Sequence, residues 1–417
     1  MAKLFADITP LKNPYFRRLW LANIITVIGG QLTVVAVPAQ IFALTGSSGY
    51  VGLTGLFGLV PLVIFGLYGG AIADAFDKRH VLTITTLGLT ASTGLFWLLT
   101  ITGNTNVWLL LGTYSIQQGF FAVNQPTRTA IFPRILGVDK LPAAVSLNMT
   151  VMQAGALVGP LLAGVLLPFT GFSWLYGIDA LSLAPTLLAV LALPPIPPNE
   201  KAAKAGLSSV VEGLTYLATQ PVLLASFALD FIAMGAGLPR ALFPEIATSL
   251  WGEPIGGGLL LSLLYAAMSL GAVLGGVFSG WVSQAVRQGR AVYLCILAWG
   301  VCVIGMGVSL FAGRAWAFVA LAFLAAGGMA DMFSSAFRNA ILQQSASDEL
   351  QGRIQGAFIV VVVGGPRLGD FVHGGVSEYT GAAWATLGGG ATVVALTLLC
   401  VLVFPQLWRY ERPRSES

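Results

Sequence analysis

The chain has 417 residues, of which 56% are hydrophobic and only 9% charged, with 51 glycines and a mean hydropathy of +0.83. Soluble domains carry about 25% charged residues, so this composition excludes an ordinary soluble enzyme or binding module and implies an all-α polytopic membrane protein. A formal net charge of +4 would suit nucleic acid, but no basic tract is interleaved with aromatics, and loop charge on one membrane face accounts for the excess first.

The first apolar segment, about Leu19 to Leu44, is too long for the core of a signal peptide and is followed by many more, so no cleavable leader is read here. A crossing needs about 20 mostly apolar residues. Cutting the chain at turn and charge clusters predicts twelve: 17–44, 48–74, 80–102, 106–130, 142–168, 173–194, 221–247, 256–282, 290–312, 315–340, 353–379 and 383–406. Six precede and six follow a polar stretch, which predicts a six-helix bundle over 1–194, a cytoplasmic linker over 195–220 and a second bundle over 221–417. The linker opens on Pro194-Pro195-Ile196-Pro197-Pro198, which stops a helix, and 207–218 patterns as a short amphipathic helix lying along the membrane surface. Eighteen of the 21 Lys and Arg fall in the termini and the loops of one face, with Arg240 and Arg314 opposite and Arg367 inside a segment. The positive-inside rule then places both termini in the cytoplasm.

Ionisable groups inside crossings are expensive and mark function by default. In chain order, the segments offer Asn23 and Gln31 in the first, and Gln117, Gln118, Asn124 and Gln125 in the fourth, as cavity hydrogen-bonding groups or helix–helix ties. The fifth carries Gly155-x-x-x-Gly159-Pro160-x-x-x-Gly164, read as close helix packing with a pliant kink. Asp179, in the sixth, reads as structural. Asp230 lies about ten residues into the seventh segment and Asp331 about ten residues before the end of the tenth, both roughly 15 Å from the cytoplasmic side at 1.5 Å per residue. There a carboxyl group held out of water can bind and release a proton. Arg367, Asp370 and His373 follow at i, i+3, i+6 in the eleventh, either as an ion pair or as a proton relay ending on the histidine. Acids with few cations favour a neutral or cationic solute.

The halves repeat. Arg128-Thr-Ala-Ile-Phe matches Arg338-Asn-Ala-Ile-Leu at an offset of 210, Asp139-Lys-Leu matches Asp348-Glu-Leu at 209, and Gly69-Gly70 and Gly159-Pro160 match Gly275-Gly276 and Gly365-Pro366 at 206. Parallel repeats in an apolar chain point to a transporter. Arg128 and Arg338 read as equivalent anchors, whereas the same shift carries Asp230 to the apolar stretch around Ile24. Cys295, Cys302 and Cys400 sit in apolar runs as small hydrophobes, and no metal site or cofactor is expected. No GxxxxGK[ST], HExxH or GxSxG motif is present, which argues against an embedded enzyme.

Gly70-x-x-x-Asp74 followed by Asp77-Lys78-Arg79 resembles the loop motif of the major facilitator superfamily, and the Gly-Pro run of the fifth segment is similar to that of its antiporters. NPYFRRLW, VAVPAQIFALTG, LYAAMSLGAVLGG and GRIQG at 352–356 are similar to the enterobactin (siderophore) exporter branch of the drug:proton antiporters. The resemblance implies twelve helices as two parallel six-helix repeats and alternating access. It also implies a cytoplasmic gate latched by Asp74 against the eleventh helix. The first, fourth, seventh and tenth helices would line the cavity. The implied activity is export of a small siderophore or drug-like molecule by proton antiport, from a monomer in the lipid of the bacterial inner membrane. Multidrug or macrolide efflux and nutrient facilitation or import on the same fold stay open.

Overall fold

The computed structural model describes residues 7–197, 215, 217–255, 257–345 and 364–412. Most of the predicted linker with its amphipathic stretch, the GRIQG run and the start of the predicted eleventh segment lie outside those residues, as does the side chain of Asp74. The long elements are all helices: α1 (Pro14–Thr45), α2 (Ser48–Ala75), α3 (Lys78–Ile101), α4 (Val107–Leu136), α5 (Leu141–Leu191), α6 (Pro221–Gly237), α7 (Leu259–Val277), α8 (Gln288–Leu310), α9 (Ala317–Ser345), α10 (Gly364–Thr380) and α11 (Ala382–Val403).

Their ends follow local chemistry. Asp77 caps α3 by accepting the Arg79 amide at 2.8 Å, and Asn106 caps α4 by accepting the Trp108 amide at 2.9 Å. Gly137, at φ 78°, turns the chain out of α4. The 51 residues of α5 would span about 75 Å if straight, more than two bilayer cores. The helix is instead broken at Gly171 (φ 71°, ψ 178°), between the predicted segments 142–168 and 173–194. Among the described residues nine helices are long and apolar enough to cross a membrane, against twelve predicted segments. The difference has three sources: α5 counts once despite its break, α4 carries the polar run from Gln117 to Arg128, and α10 has only 17 described residues.

The chain divides into two compact units, one built from residues 1–40 and 60–206, the other from 41–59 and 207–417. In the first, Leu19 and Ala22 of α1 meet Leu82, Ile131 and Val190 in a buried cluster. A Cβ on Gly155 would overlap the Val27 side chain, and one on Gly159 that of Gln31, so the glycine run lets α1 and α5 touch backbone to side chain. Pro160 and Gly164 are buried beside them. Asp179 accepts the Thr33 hydroxyl at 2.5 Å and ties the far part of α5 to α1.

The second unit packs α8 on α9 and α11, and α7 on α9. Gly271 faces the Ala325 carbonyl and Gly328 the Met268 carbonyl, again without room for a Cβ. Trp299 donates to the Ala233 carbonyl at 2.9 Å, holding α8 to α6. Residues 47–55, from the first half of the sequence, lie along α10, with Gly52 against the Asp370 carbonyl and Gly55 against that of Arg367.

The α1–α5 contact gives a direct test. Gly159→Leu forces overlap with Gln31 and is expected to cost at least about 1–3 kcal/mol, read as a lower unfolding temperature of detergent-purified protein. Gly94→Ala, where a Cβ meets nothing within 4 Å, should stay within about 0.5 kcal/mol of the parent.

Candidate functional site

Asp230 sits on α6 and Arg338 on α9, seven residues and therefore two helical turns beyond Asp331 on the same face. The Arg338 guanidinium binds Asp230 through Nη1, and its Nη2 lies 3.8 Å from Asp331 Oδ1. Side-chain exposure is 4% for Asp230, 13% for Arg338 and 24% for Asp331, so Asp331 is the least enclosed of the three. The second oxygen of Asp230 and the Arg338 Nε have no hydrogen-bond partner among the described residues. Beside them a cavity of about 40 Å³ is lined by Ser226, Asp230, Ser335, Arg338 and Asn339, which is room for a water molecule. One guanidinium facing two carboxylates carries a net negative charge when both acids are ionised. It is neutral once a single proton is bound.

Sequence reasoning finds Asp230 and Asp331 but treats Arg338 as an anchor. The structure joins all three. The seven-residue spacing of Asp331 and Arg338 was the available clue.

The matching place in the first unit is built differently. Arg128 on α4 binds the side-chain oxygen of Asn23 on α1, and the Asn23 amide donates to Asn148 Oδ1 on α5 at 3.0 Å. Asn23 stands 207 residues before Asp230, so the counterpart of the acid is this asparagine and not the apolar stretch around Ile24. A shift of three residues between the two landmark sets hid the correspondence.

The remaining polar candidates divide. Gln117 donates to Thr93 at 2.9 Å and Asn124 to Thr85 and Thr86 at 2.9 and 3.2 Å, so both amides tie α4 to α3. Gln31 packs under Gly159, and Gln118 and Gln125 are half-buried. In the loop motif, Asp77 caps α3 and also accepts the Ile196 amide at 3.1 Å, Lys78 is buried, and Arg79 donates to the Leu191 carbonyl at 2.6 Å. These contacts pin the loop to the end of α5. Gly70 is helical there, and the Asp74 latch lies outside what is described.

On α10 the cation bound to Asp370 is Arg240, from the turn after α6, with Nε 3.3 Å from Oδ1. His373 is buried, its Nδ1 lies 3.0 Å from the Gly369 carbonyl, and its Nε2 points at Gly389 of α11 without a partner among the described residues. The Arg367 carbonyl meets Gly55. Asp370 thus has a cation from outside its own helix, and the His373 ring turns to the backbone of α10 and to α11. Two acids that sequence reasoning passed over lie near the end of α10. Glu378 accepts the Ser47 hydroxyl and the Gly49 amide (2.7 Å), and Glu245 accepts Ser48 (2.5 Å), Ser377 (2.6 Å) and the Ala382 amide (3.1 Å). Each carboxylate thus meets the amino end of a helix, α2 or α11, where the helix dipole favours negative charge. Both acids fall at the ends of predicted segments, 221–247 and 353–379, where a charge reads as facing solvent until the helix ends are placed.

The family model described as a transmembrane secretion effector matches residues 5–412. The "Enterobactin exporter EntS" of Escherichia coli O1:K1 is 28% identical over 409 residues, covering 96% of this chain and 95% of the relative. The protein of the same name from Citrobacter koseri is 28% identical over 407 residues, covering 96% and 94%. Among solved structures, a point mutant of the nucleoside transporter NupG superposes with a TM-score of 0.75 at 14% identity, over 94% of this chain and 100% of that one. A D-xylose-proton symporter gives 0.69 at 13%, over 95% and 99%. At such identities these two show the fold alone. Family and relatives are small-molecule transporters and not enzymes.

Removing one partner of a buried ion pair typically costs about 3–5 kcal/mol, because the other charge is stranded. Arg338→Met is therefore expected to destabilise the purified protein by about 3 kcal/mol, and Asp230→Asn in the same chain should restore part of the loss. Unfolding curves of the two single variants and the double variant measure the coupling. Strictly additive effects would mean the pair contributes nothing.

Proposed function

Because the chain belongs to the transmembrane secretion effector family of the major facilitator superfamily, we propose that it exports a small amphipathic molecule, siderophore or drug-like, from the bacterial cytoplasm in exchange for protons. The observation that carries this reading is the cluster of Arg338 with Asp230 and Asp331. One guanidinium between two carboxylates leaves one negative charge uncompensated, and a proton on either acid removes it. Binding of a proton leaves Arg338 satisfied by one acid. Its loss recharges the cluster and draws both acids onto the cation. The two protonation states therefore favour different packings of α6 against α9, which is what coupling to a conformational cycle requires.

The reading takes twelve crossings, both termini in the cytoplasm, and two bundles over 1–194 and 221–417 that alternate access to a central site. Export as the direction is supported by the names of the relatives. In this cycle the hydrogen bonds from residues 47–49 to Glu245 and Glu378 break when the outer side opens, and Asp74 latches the cytoplasmic side.

Inverted membrane vesicles loaded by an imposed proton gradient provide the test, with labelled enterobactin as the first probe. Uptake should collapse on adding an uncoupler, and Asp230→Asn and Asp331→Asn should each lower gradient-driven uptake by at least about tenfold, the scale of one lost charge interaction, with normal membrane content. Uptake indifferent to the uncoupler would mark a facilitator and remove proton exchange from the account.

A further inference from the structure

In the first unit, Arg128 is a buried cation that no carboxylate among the described residues meets. It is 7% exposed, and the hydrogen bond it makes runs to the neutral side chain of Asn23. Its Nε is buried without a partner among the described residues, and none of their carboxylates pairs with it. Asn23 is held in turn by Asn148 at 3.0 Å. A guanidinium brings five N–H donors and each amide two more, against two amide oxygens as acceptors. The cluster is thus rich in donors and positive.

A purely structural role explains this poorly. The corresponding arginine of the second unit, Arg338, is met by two acids, and the position matching Asp230 is Asn23. Among the described residues, the same scaffold supplies the counter-charge in one unit and none in the other. A buried charge left without a counter-charge is strongly unfavourable unless something else provides it. Arg128 lies eight residues before the end of α4, roughly 12 Å from it.

We propose that Arg128, Asn23 and Asn148 form a subsite for an oxyanion of the transported molecule, a carboxylate or a comparable group with one negative charge on oxygen. The proposal rests on the transport reading above and deepens it, since the acids alone favour a neutral or cationic solute. Arg128 supplies the charge and the unpartnered Nε. The two amides fix the guanidinium and complete the donor set. Benzoate and benzamide, alike in shape and unlike in charge, serve as probes.

The experiment is the unfolding temperature of the full-length protein in detergent, titrated with each probe at constant ionic strength set by chloride. Benzoate should stabilise the parent protein and benzamide should not. Asn23→Asp places an internal carboxylate where Asp230 stands in the other unit. It is expected to raise the unfolding temperature by itself and to weaken the benzoate response by roughly tenfold or more. Arg128→Gln should abolish the response and serves if Asn23→Asp does not fold. Equal responses to benzoate and benzamide, or a benzoate response that survives in Asn23→Asp or Arg128→Gln, would overturn the proposal. Failure of proton exchange would appear separately, as uncoupler-insensitive vesicle uptake with benzoate binding intact.

Discussion

A guanidinium group taken out of water has to be met by acceptors, and the two units of this protein meet that demand with different chemistry. Arg338 lies between Asp230 and Asp331, while Arg128, at the matching place in the repeat, is met by the amide oxygen of Asn23. In a low-dielectric interior the difference between a carboxylate and an amide is large, because the amide supplies a hydrogen bond but no charge. Among the described residues, the second unit therefore sets two acids against one cation, and the first sets a cation against no acid. One side-chain oxygen exchanged for nitrogen, at residue 23 against residue 230, separates the two.

Close backbone packing keeps these groups in place. The glycines of α5 against α1, and those of α7 and α9 against each other, bring helices to distances at which a Cβ would overlap. Such interfaces respond to strain by moving as units, since a tightly packed contact has little room to deform. Members of both clusters are carried on those same helices: Asn23 on α1, Asn148 on α5, Arg338 and Asp331 on α9. A change of charge at either cluster thus acts on packed helices and not on a mobile loop. The carboxylates Glu245 and Glu378 work at helix ends instead, where hydrogen bonds from residues 47–49 can be exchanged for water at small cost.

The membrane character, the helical class and the position of most helices were legible in the sequence, because long apolar runs and proline or glycine turns act locally. Asp230 and Asp331 were legible for the same reason: a charge within an apolar run stands out without any knowledge of its partner. Partners were harder. Arg338 looked like a structural anchor because its position matches that of Arg128 in the repeat, and Asp370 read as the partner of Arg367 or as part of a relay, whereas Arg240 comes from another element. Asn124 and Gln117 read equally as cavity groups or as helix–helix ties, and they face the threonines of α3, a matter of helix rotation that spacing alone does not fix. The break at Gly171 was visible as a segment boundary, whereas the roles of Glu245 and Glu378 depended on helix ends distant in sequence.

The central claim is that the carboxylates around Arg338 hold the exchanged proton. It is tested most directly by difference infrared spectroscopy of the purified protein in lipid, following the carbonyl stretch of protonated carboxyl groups as enterobactin is added. The account predicts a protonated-carboxyl band that is lost on substrate binding in the parent protein and absent from Asp230→Asn or Asp331→Asn. A band unchanged by substrate, or one that persists unaltered in both variants, would contradict it.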